Sequence, residues 1–374
     1  MPATLVIPKE IREGEMRVAM VPSVIDKLLK LGITVKLEHG AGAGIYADDS
    51  TYKQVEVIKN AKELYRSGDI VVKVQPPTEA EVGLMNENTI LISPIYAHTH
   101  PKLLKKLCAK KIVTFALEMI PRISRAQSMD ILSSQATVAG YKAVLTAANT
   151  ARFFFPMFTT AAGTVRPASV LIIGAGVAGL QAIATAKRLG ARVSAFDVRI
   201  ETKEEIESLG AKFVDTCVVA SGEGGYAREL TAEERQQQQK ALAKHIASCD
   251  VVITTAGVPG KPAPKIISED VVKQMKPGAV IVDIMAEMGG NCALSKPGKN
   301  VVHNNVTIVG TQDIYSSLAT HASEMFARNI INFLTPMVKE GEVHLNWEDE
   351  ILSNSVVTRD GEVVHAMLKQ LTEV

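Results

Sequence analysis

The chain has 374 residues, enough for two domains with a sizeable hydrophobic core. Its 41 lysine and arginine residues nearly balance 40 aspartate and glutamate residues, so no basic field indicates binding to nucleic acid or anionic lipid. No stretch reaches the roughly 18 apolar residues of a membrane span, and four scattered cysteines without a CxxC pair are typical of reduced thiols, so we expect a soluble intracellular protein.

The first third of the chain alternates predicted strands and helices after an N-terminus that lacks the basic region of a signal peptide. The predicted strands cover residues 5–7, 33–37, 69–74, 89–95 and 112–117. The predicted helices begin at Pro22 and also cover residues 52–65 and 101–110. This alternation predicts a mostly parallel sheet covered by helices. The glycines from Gly40 to Gly44 lack the GxGxxG spacing and favour a strand-to-helix turn over a phosphate site.

A polar segment at residues 121–130 predicts a linker into a long helix over about 131–151. Arg122 and Asp130 could pair across it, and the amide of Gln127 could bond a carboxamide or a ribose. The alternative is a solvated linker with a surface salt bridge worth under about 1 kcal/mol. The pattern alone leaves both readings open.

Residues 169–180 predict a dinucleotide site. A buried apolar strand runs into Gly174, Gly176 and Gly179, which have GxGxxG spacing and are followed by a helix. Gly174 permits a tight turn, Gly176 lets the backbone approach a pyrophosphate, and Gly179 lets helix and strand pack closely. The N-terminus of the helix would offer N–H groups to the phosphates.

A second strand, at residues 191–196, ends at Asp197, whose carboxylate would accept a ribose hydroxyl and repel a 2′-phosphate. This favours NAD over NADP, although Arg199 could pair with such a phosphate. Strand, glycines, helix, strand and acid occur in the order that nucleotide binding requires. A tight turn without any cofactor is the alternative.

The remainder of the chain predicts strands at residues 251–255, 280–284 and 306–309, a helix at 317–334, and short strands near Val343 and Val356. A glycine-rich stretch at 216–230 favours a lid or a plain surface loop, and residues 231–234 have a capping-box pattern. We therefore predict two doubly wound parallel-sheet (Rossmann-like) α/β domains. The first is discontinuous, 1–133 and 318–374, the second covers 134–317, and the cleft between them is the expected ligand site.

Other polar residues give weaker indications. His98 and His100 invite a metal interpretation, but no third ligand has a suitable spacing, so no metal is expected. Arg17 and Lys73 could hold an anionic substrate, with ordinary surface charges as the default. No GxSxG, HExxH or Walker pattern occurs.

Several motifs resemble those of the alanine dehydrogenase/transhydrogenase superfamily: Ile-Pro-Lys-Glu at 7–10, Lys-Val at 73–74, the glycine fingerprint, and Met-Lys-Pro-Gly at 275–278. Segments 121–130, 160–164, 225–227, 260–264 and 289–292 narrow this. They resemble the NAD(H)-binding domain I of proton-translocating NAD(P) transhydrogenases, which in split-gene forms is the first portion of the alpha subunit.

The resemblance implies hydride transfer between NAD(H) on this chain and NADP(H) on a partner domain III, in the beta subunit. In the full complex this transfer is coupled to proton translocation through a membrane domain II, as in Si/Re-specific transhydrogenases. The resemblance further implies a homodimer on the cytoplasmic or matrix side, peripherally attached to the inner membrane through its partners. The chain would be a split-gene subunit or an excised domain.

The resemblance also implies site residues. The positions that match the family's catalytic residues at the nicotinamide are Arg122, Gln127, Asp130 and Ser133. The same loop would contribute Ile123, Ser124 and Arg125 to nucleotide binding. The other matching nucleotide contacts, besides the three fingerprint glycines, are Val177, Asp197, Val198, Arg199, Gly225, Tyr226, Gln238 and Gly257. At 257 many relatives are expected to carry leucine, so a backbone contact is retained here and a side-chain contact is lost.

Two alternatives remain open. An NAD-dependent alanine dehydrogenase needs a cation for the substrate carboxylate, which Arg17 and Lys73 could supply, and a general acid/base. The histidine and aspartate of those enzymes align with Tyr96 and Glu287, and the loss of the histidine argues against amino-acid oxidation. An NAD(H)-sensing module without chemistry would need the fingerprint and not the 121–130 segment.

Overall fold

The computed structural model describes residues 2–216, 231–257 and 262–371. The chain divides into two compact units, Met1–Gln135 with Tyr315–Val374, and Ala136–Ile314. Both are α/β units with mostly parallel sheets, so the predicted fold class is confirmed. Among the described residues, no helix has the length and apolar content needed to cross a membrane.

The strands in chain order are β1 (Thr4–Ile7), β2 (Thr34–Glu38), β3 (Glu56–Ile58), β4 (Ile70–Val72), β5 (Ile90–Ser93), β6 (Val113–Ala116), β7 (Phe158–Thr160), β8 (Gly163–Val165), β9 (Ser169–Ile173), β10 (Arg192–Phe196), β11 (Lys212–Phe213), β12 (Val251–Thr254), β13 (Val280–Asp283), β14 (Asn300–His303), β15 (Val306–Gly310), β16 (Val338–Lys339), β17 (Glu342–Val343), β18 (Val356–Arg359) and β19 (Glu362–Val363). The helices are α1 (Pro22–Lys30), α2 (Ala61–Ser67), α3 (Glu79–Leu84), α4 (Pro101–Ala109), α5 (Ile131–Thr150), α6 (Val177–Arg188), α7 (Thr202–Ser208), α8 (Ala232–Ser248), α9 (Glu269–Lys273), α10 (Ala319–Leu334) and α11 (Glu350–Ser355).

The first unit contains an eight-stranded sheet in the order β19-β18-β6-β5-β4-β1-β2-β3. Strands β1 to β6 are parallel, and β18 joins β6 in antiparallel orientation. Leu5 and Ile7 belong to one hydrophobic cluster, while Val6 belongs to another. Both faces of the sheet are therefore buried, which explains the continuous apolar runs of its strands.

The predicted helix at residues 52–65 is wrong in its first half. Residues Glu56–Ile58 form β3, which pairs with β2, and the helix α2 begins only at Ala61. The Asn60 side chain accepts hydrogen bonds from the backbone N–H groups of Lys62 and Glu63. Asparagine at this position caps the helix and sets its start, so the segment before it is left to extend along the sheet edge.

The second unit contains a seven-stranded sheet in the order β11-β10-β9-β12-β13-β15-β14. All neighbouring strands are parallel except the edge strand β14, which the sequence did not predict. In both sheets the strand order reverses next to the first strand, between β1 and β4 in the first unit and between β9 and β12 in the second. This reversal is the topological switch point at which doubly wound sheets bind ligands.

Candidate functional site

The glycine fingerprint forms the turn between β9 and α6. Gly174 has φ +97°, a conformation that glycine adopts without strain. A β-carbon on Gly179 would lie 1.8 Å from the carbonyl oxygen of Gly174, so only glycine permits this close approach of helix and turn. The predicted roles of these two glycines agree with this geometry.

Gly176 precedes the first turn of α6 and has no side-chain cap. A β-carbon there would meet no heavy atom within 4 Å, so its backbone borders open space. Uncapped N–H groups at the start of a twelve-residue helix form an anion-binding position. The turn therefore fits the pyrophosphate of a dinucleotide.

Thr255 contacts this turn, a role that was not predicted from the sequence. It follows β12, and its hydroxyl donates to the carbonyl oxygens of Gly174, at 3.1 Å, and Ile173, at 3.3 Å. It thus holds the fingerprint from the other side of the switch point. The sequence signal was a small hydroxyl residue at the end of the predicted strand 251–255.

Asp197 lies at the carboxyl end of β10, beside the fingerprint. Its carboxylate accepts hydrogen bonds from the backbone N–H groups of Ala175, at 2.7 Å, and Arg199, at 2.9 Å. The Arg199 guanidinium also binds it, with Nε and Nη2 each 3.0 Å from a different carboxylate oxygen. The hydrogen bonds that the guanidinium donates to Asp197 raise the pKa of Arg199.

The structure describes only part of the remaining predicted nucleotide contacts. Val177 is exposed at the start of α6, and Val198 packs partly buried against the core of the second unit. A β-carbon on Gly257 would lie 2.3 Å from Cε of Met285, so this methionine fills the space that a larger residue at 257 would need. Gly225, Tyr226 and the side chain of Gln238 lie outside the described residues.

The 121–130 segment is an ordered part of the first unit. Its centre is a short 3₁₀ helix, Ser124–Met129, which packs against α10. Ala126 and Met129 are buried in the core of this unit, whereas Arg122 and Gln127 are exposed. The segment is therefore anchored by two apolar side chains while it presents its polar ones on the surface.

Asp130 and Ser133 form a pair at the start of α5. The carboxylate of Asp130 accepts hydrogen bonds from the Ser133 backbone, at 3.0 Å, and from its hydroxyl, at 2.6 Å. Arg125 binds the carboxylate of Asp349 through two guanidinium nitrogens, at 2.9 and 2.7 Å. Ile123 is partly buried against the core of the first unit, and Ser124 is exposed.

Lys73 contradicts the default expectation of a surface charge. Its side chain is 1% exposed, and its ammonium lies 3.1 Å from Glu10 and 2.9 Å from Glu81. Burial alone would lower the pKa of Lys73, but the two carboxylates raise it and keep the amine charged. Desolvation raises the pKa of Glu10, and the charge of Lys73 opposes this in part.

Arg17 is buried too, so the surface expectation is wrong for it as well. Its guanidinium donates twice to Glu15 and once to Gln135. Burial alone would raise the pKa of Glu15, but Arg17, with the donors Gln75 and Ser316, lowers it to about 2. The switch point of the first unit therefore carries a network of paired charges in place of a glycine turn.

Tyr96 and Glu118 complete the polar surroundings of this network. The backbone N–H groups of Ile95 and Tyr96 donate to the carboxylate of Glu118, and burial raises the pKa of that carboxyl group. His100 lies within hydrogen-bond distance of the Thr99 hydroxyl and the Tyr96 carbonyl. Within the described ranges, no group of three potential metal ligands occurs.

Comparisons with known proteins cover nearly the whole chain. A model of the alanine dehydrogenase/PNT N-terminal domain matches residues 6–139, and one of the C-terminal domain matches residues 143–366. The first portion of the NAD(P) transhydrogenase alpha subunit from Rhodospirillum rubrum is 49% identical over 377 residues, covering 97% of this chain and 98% of that protein. An alanine dehydrogenase from Methanococcus maripaludis is 26% identical over 375 residues, covering 96% and 94%. The crystal structure of transhydrogenase from Sinorhizobium meliloti superposes with a TM-score of 0.88 at 40% identity, covering 96% of this chain and all of that one.

Proposed function

The chain belongs to the alanine dehydrogenase/PNT family, and on this premise we propose that it is the NAD(H)-binding component of an NAD(P) transhydrogenase. It exchanges a hydride between NAD(H) on its second unit and NADP(H) on a partner subunit. In the complete, Si/Re-specific complex this exchange is coupled to proton translocation across a membrane.

One observation carries this proposal. The second unit has a complete dinucleotide turn, while the basic residues that an amino-acid substrate would need are neutralised by glutamates in the first unit. Arg17 donates to Glu15, and Lys73 lies between two carboxylates. The difference between 49% identity to a transhydrogenase subunit and 26% to an alanine dehydrogenase supports the same choice.

The proposed hydride transfer requires no general acid or base from the protein. A nicotinamide ring supplies the carbon that gives or takes the hydride, and neither ring exchanges a proton with the other. The protein has to orient the ring and exclude water. Arg122, Gln127, Asp130 and Ser133 are the proposed catalytic residues for this task.

Within this group, Ser133 donates hydrogen bonds to Asp130. Because both Asp130 oxygens accept hydrogen bonds from Ser133, the carboxylate is fixed in position at the start of α5. Gln127 is exposed, and its amide can donate and accept at once, as a ring carboxamide requires. Ile123 and Ser124 would border the nucleotide through the same ordered segment, with Arg125 beside them.

The alanine dehydrogenase alternative also lacks its acid/base group at the expected place. Tyr96 stands where the resemblance implies a histidine, and its backbone lies in the left-handed region with φ +46°. Glu287 stands in place of the aspartate and accepts a hydrogen bond from the Asp313 backbone. A nucleotide-sensing role is the second alternative, and the ordered 121–130 segment disfavours it.

We propose further that the chain forms a homodimer that joins a beta subunit and a membrane domain at the cytoplasmic or matrix face of the membrane. The β7–β8 hairpin, at residues 158–165, supports a dimer. Phe158 and Val165 in the hairpin, with Phe154 and Met157 just before it, are between 43% and 62% exposed. Such a cluster of apolar side chains is typical of an interaction surface, and a hairpin edge can pair with its own copy about a twofold axis.

The test combines the purified chain with a separately expressed NADP(H)-binding beta subunit. NADH and an NADP⁺ analogue with a shifted absorbance are added, and analogue reduction is followed. We expect turnover only when both proteins are present. Oxidation of alanine by the chain alone with NAD would contradict it and favour the alanine dehydrogenase, whereas NADH binding without turnover would favour the sensing module.

A further inference from the structure

The pair formed by Asp197 and Arg199 bears on which nucleotide the second unit accepts, an inference that rests on the proposed function. The Asp197 side chain is 8% exposed and that of Arg199 is 22% exposed. Two backbone N–H groups and two guanidinium nitrogens bind the same carboxylate, at distances from 2.7 to 3.0 Å. A carboxylate has about four lone-pair positions, so these contacts occupy it fully.

The four hydrogen bonds to Asp197 differ in how readily a ligand could replace them. The N–H groups of Ala175 and Arg199 belong to the fingerprint turn and to the chain beside Asp197, so they hold the carboxylate in place. The guanidinium is the end of a flexible side chain. A ribose that approaches Asp197 would therefore compete with the Arg199 side chain for the same two lone pairs, and it would leave the backbone contacts intact.

Arg199 has the chemistry that a 2′-phosphate would require. A guanidinium binds phosphate through two parallel N–H groups and remains charged at every relevant pH. In this structure the same fork is directed at Asp197. A phosphate on the ribose would meet both the negative charge of Asp197 and an arginine that is already engaged.

We propose that Asp197 excludes NADP(H) by holding Arg199 as well as by its own charge, and that Arg199 is a latent 2′-phosphate-binding residue. The selectivity matters for the proposed reaction. Hydride leaves NADH, which becomes NAD⁺, and reduces NADP⁺ on the partner to NADPH. If both sites accepted NADP(H), the same transfer would interconvert identical nucleotides and produce no net change.

The test is a double-mutant cycle on the whole purified chain, with nucleotide fluorescence as the readout of NADH and NADPH affinity. The variants are Asp197→Asn, Arg199→Ala and the double variant. Asp197→Asn keeps an oxygen for the Ala175 N–H and removes the charge that holds Arg199. Asp250→Asn is the matched control, because Asp250 pairs with Lys276 at the opposite, amino-terminal edge of the same sheet.

In Asp197→Asn we expect NADPH affinity to rise at least about tenfold, the equivalent of one charge-assisted hydrogen bond, while NADH affinity falls. Arg199→Ala alone should leave NADPH binding weak. The double variant should not show the increase in NADPH affinity that Asp197→Asn shows. Asp250→Asn should change neither affinity.

Two outcomes contradict the inference. If the NADPH gain survives in the double variant, or if Asp197→Asn gains none, Arg199 is not a latent phosphate contact. Both results concern the inference alone as long as the wild-type chain binds NADH. A wild-type chain that binds no NADH would contradict the proposed function, and the inference would fall with it.

Discussion

Gly179 approaches the carbonyl oxygen of Gly174 so closely that a β-carbon on it would lie 1.8 Å from that oxygen. The first turn of α6 is thus pressed against the end of β9, and the contact depends on the absence of one carbon atom. Gly176, three residues earlier, has no such neighbour. Gly179 therefore allows the helix to pack against the strand, whereas Gly176 leaves the backbone open to a ligand.

Alanine substitutions should separate these purposes. Gly179→Ala should destabilise the second unit by about 1–3 kcal/mol because the added carbon overpacks the turn. Gly176→Ala should leave stability nearly unchanged but weaken NADH binding about tenfold, because its β-carbon enters the space proposed for the pyrophosphate. Urea unfolding and NADH fluorescence titration measure the two effects.

Gly83→Ala is the matched control for both glycine variants. Gly83 lies on the exposed side of α3, and a β-carbon there would meet no heavy atom within 4 Å. Alanine at this position should stabilise the helix by up to about 1 kcal/mol and leave NADH binding unchanged. Equal NADH affinities of Gly176→Ala and wild type would argue against a phosphate at the fingerprint turn.

Gln127→Asn should reduce hydride transfer roughly a hundredfold, the cost of a displacement of about 1 Å near a reacting group. NADH affinity should change little, because the fingerprint that binds the nucleotide is untouched. Gln54→Asn is the control, since Gln54 is exposed and has φ +59°, a conformation that asparagine tolerates. A wild-type rate of hydride transfer in Gln127→Asn would contradict the proposed catalytic role of Gln127.

Glu15 should make the stability of the chain depend on acid pH. Its pKa is lowered from 4.5 to about 2 in the folded state, so its stabilisation is present above pH 4.5 and disappears as pH falls towards 2. This pKa shift corresponds to a contribution of up to about 3 kcal/mol to the free energy of unfolding. The stability difference between wild type and Glu15→Gln should accordingly shrink over that range, as measured by urea unfolding at successive pH values. A constant difference would mean that Arg17 does not stabilise the Glu15 carboxylate.

Replacement of Phe154 and Phe158 by serine should convert the proposed dimer into a monomer. Their rings pack edge to face at 4.6 Å, and both are exposed. Tyr46→Asn is the control, because Tyr46 is the most exposed of the large apolar residues described, in the first unit, with φ +60°. Sedimentation equilibrium measures the mass. A double serine variant that remains dimeric would place the interface elsewhere.

Local patterns were sufficient to predict the elements that form the nucleotide turn. The glycine spacing, the apolar strand before it and the acid after β10 are determined within some thirty residues, and their geometry follows from backbone sterics. The capping box of α8 was predicted in the same way and is confirmed by reciprocal hydrogen bonds between Thr231 and Glu234. For these elements, which depend on neighbours in sequence, the sequence was enough, whereas the local cap at Asn60 was missed.

Contacts between distant residues could not be predicted in this way. Lys73 meets Glu10, 63 positions away, only because β1 and β4 are adjacent in the sheet. Arg125 binds Asp349, which caps α11 more than two hundred residues later. A single sequence shows only a lysine or an arginine, since the distant carboxylate that pairs with it has no local signature.

The shared strand order of the two sheets has a consequence for binding capacity. The strand β1 of the first unit is followed by Pro8, which has no N–H group to offer a phosphate, and by Glu10, which is committed to Lys73. Of the two switch points in the described part of the chain, only that of the second unit therefore has a glycine turn suited to a dinucleotide. We expect calorimetric saturation at a single equivalent of NADH. Under the proposed function, the chain would then pass one hydride to its partner per encounter before it must bind NADH again.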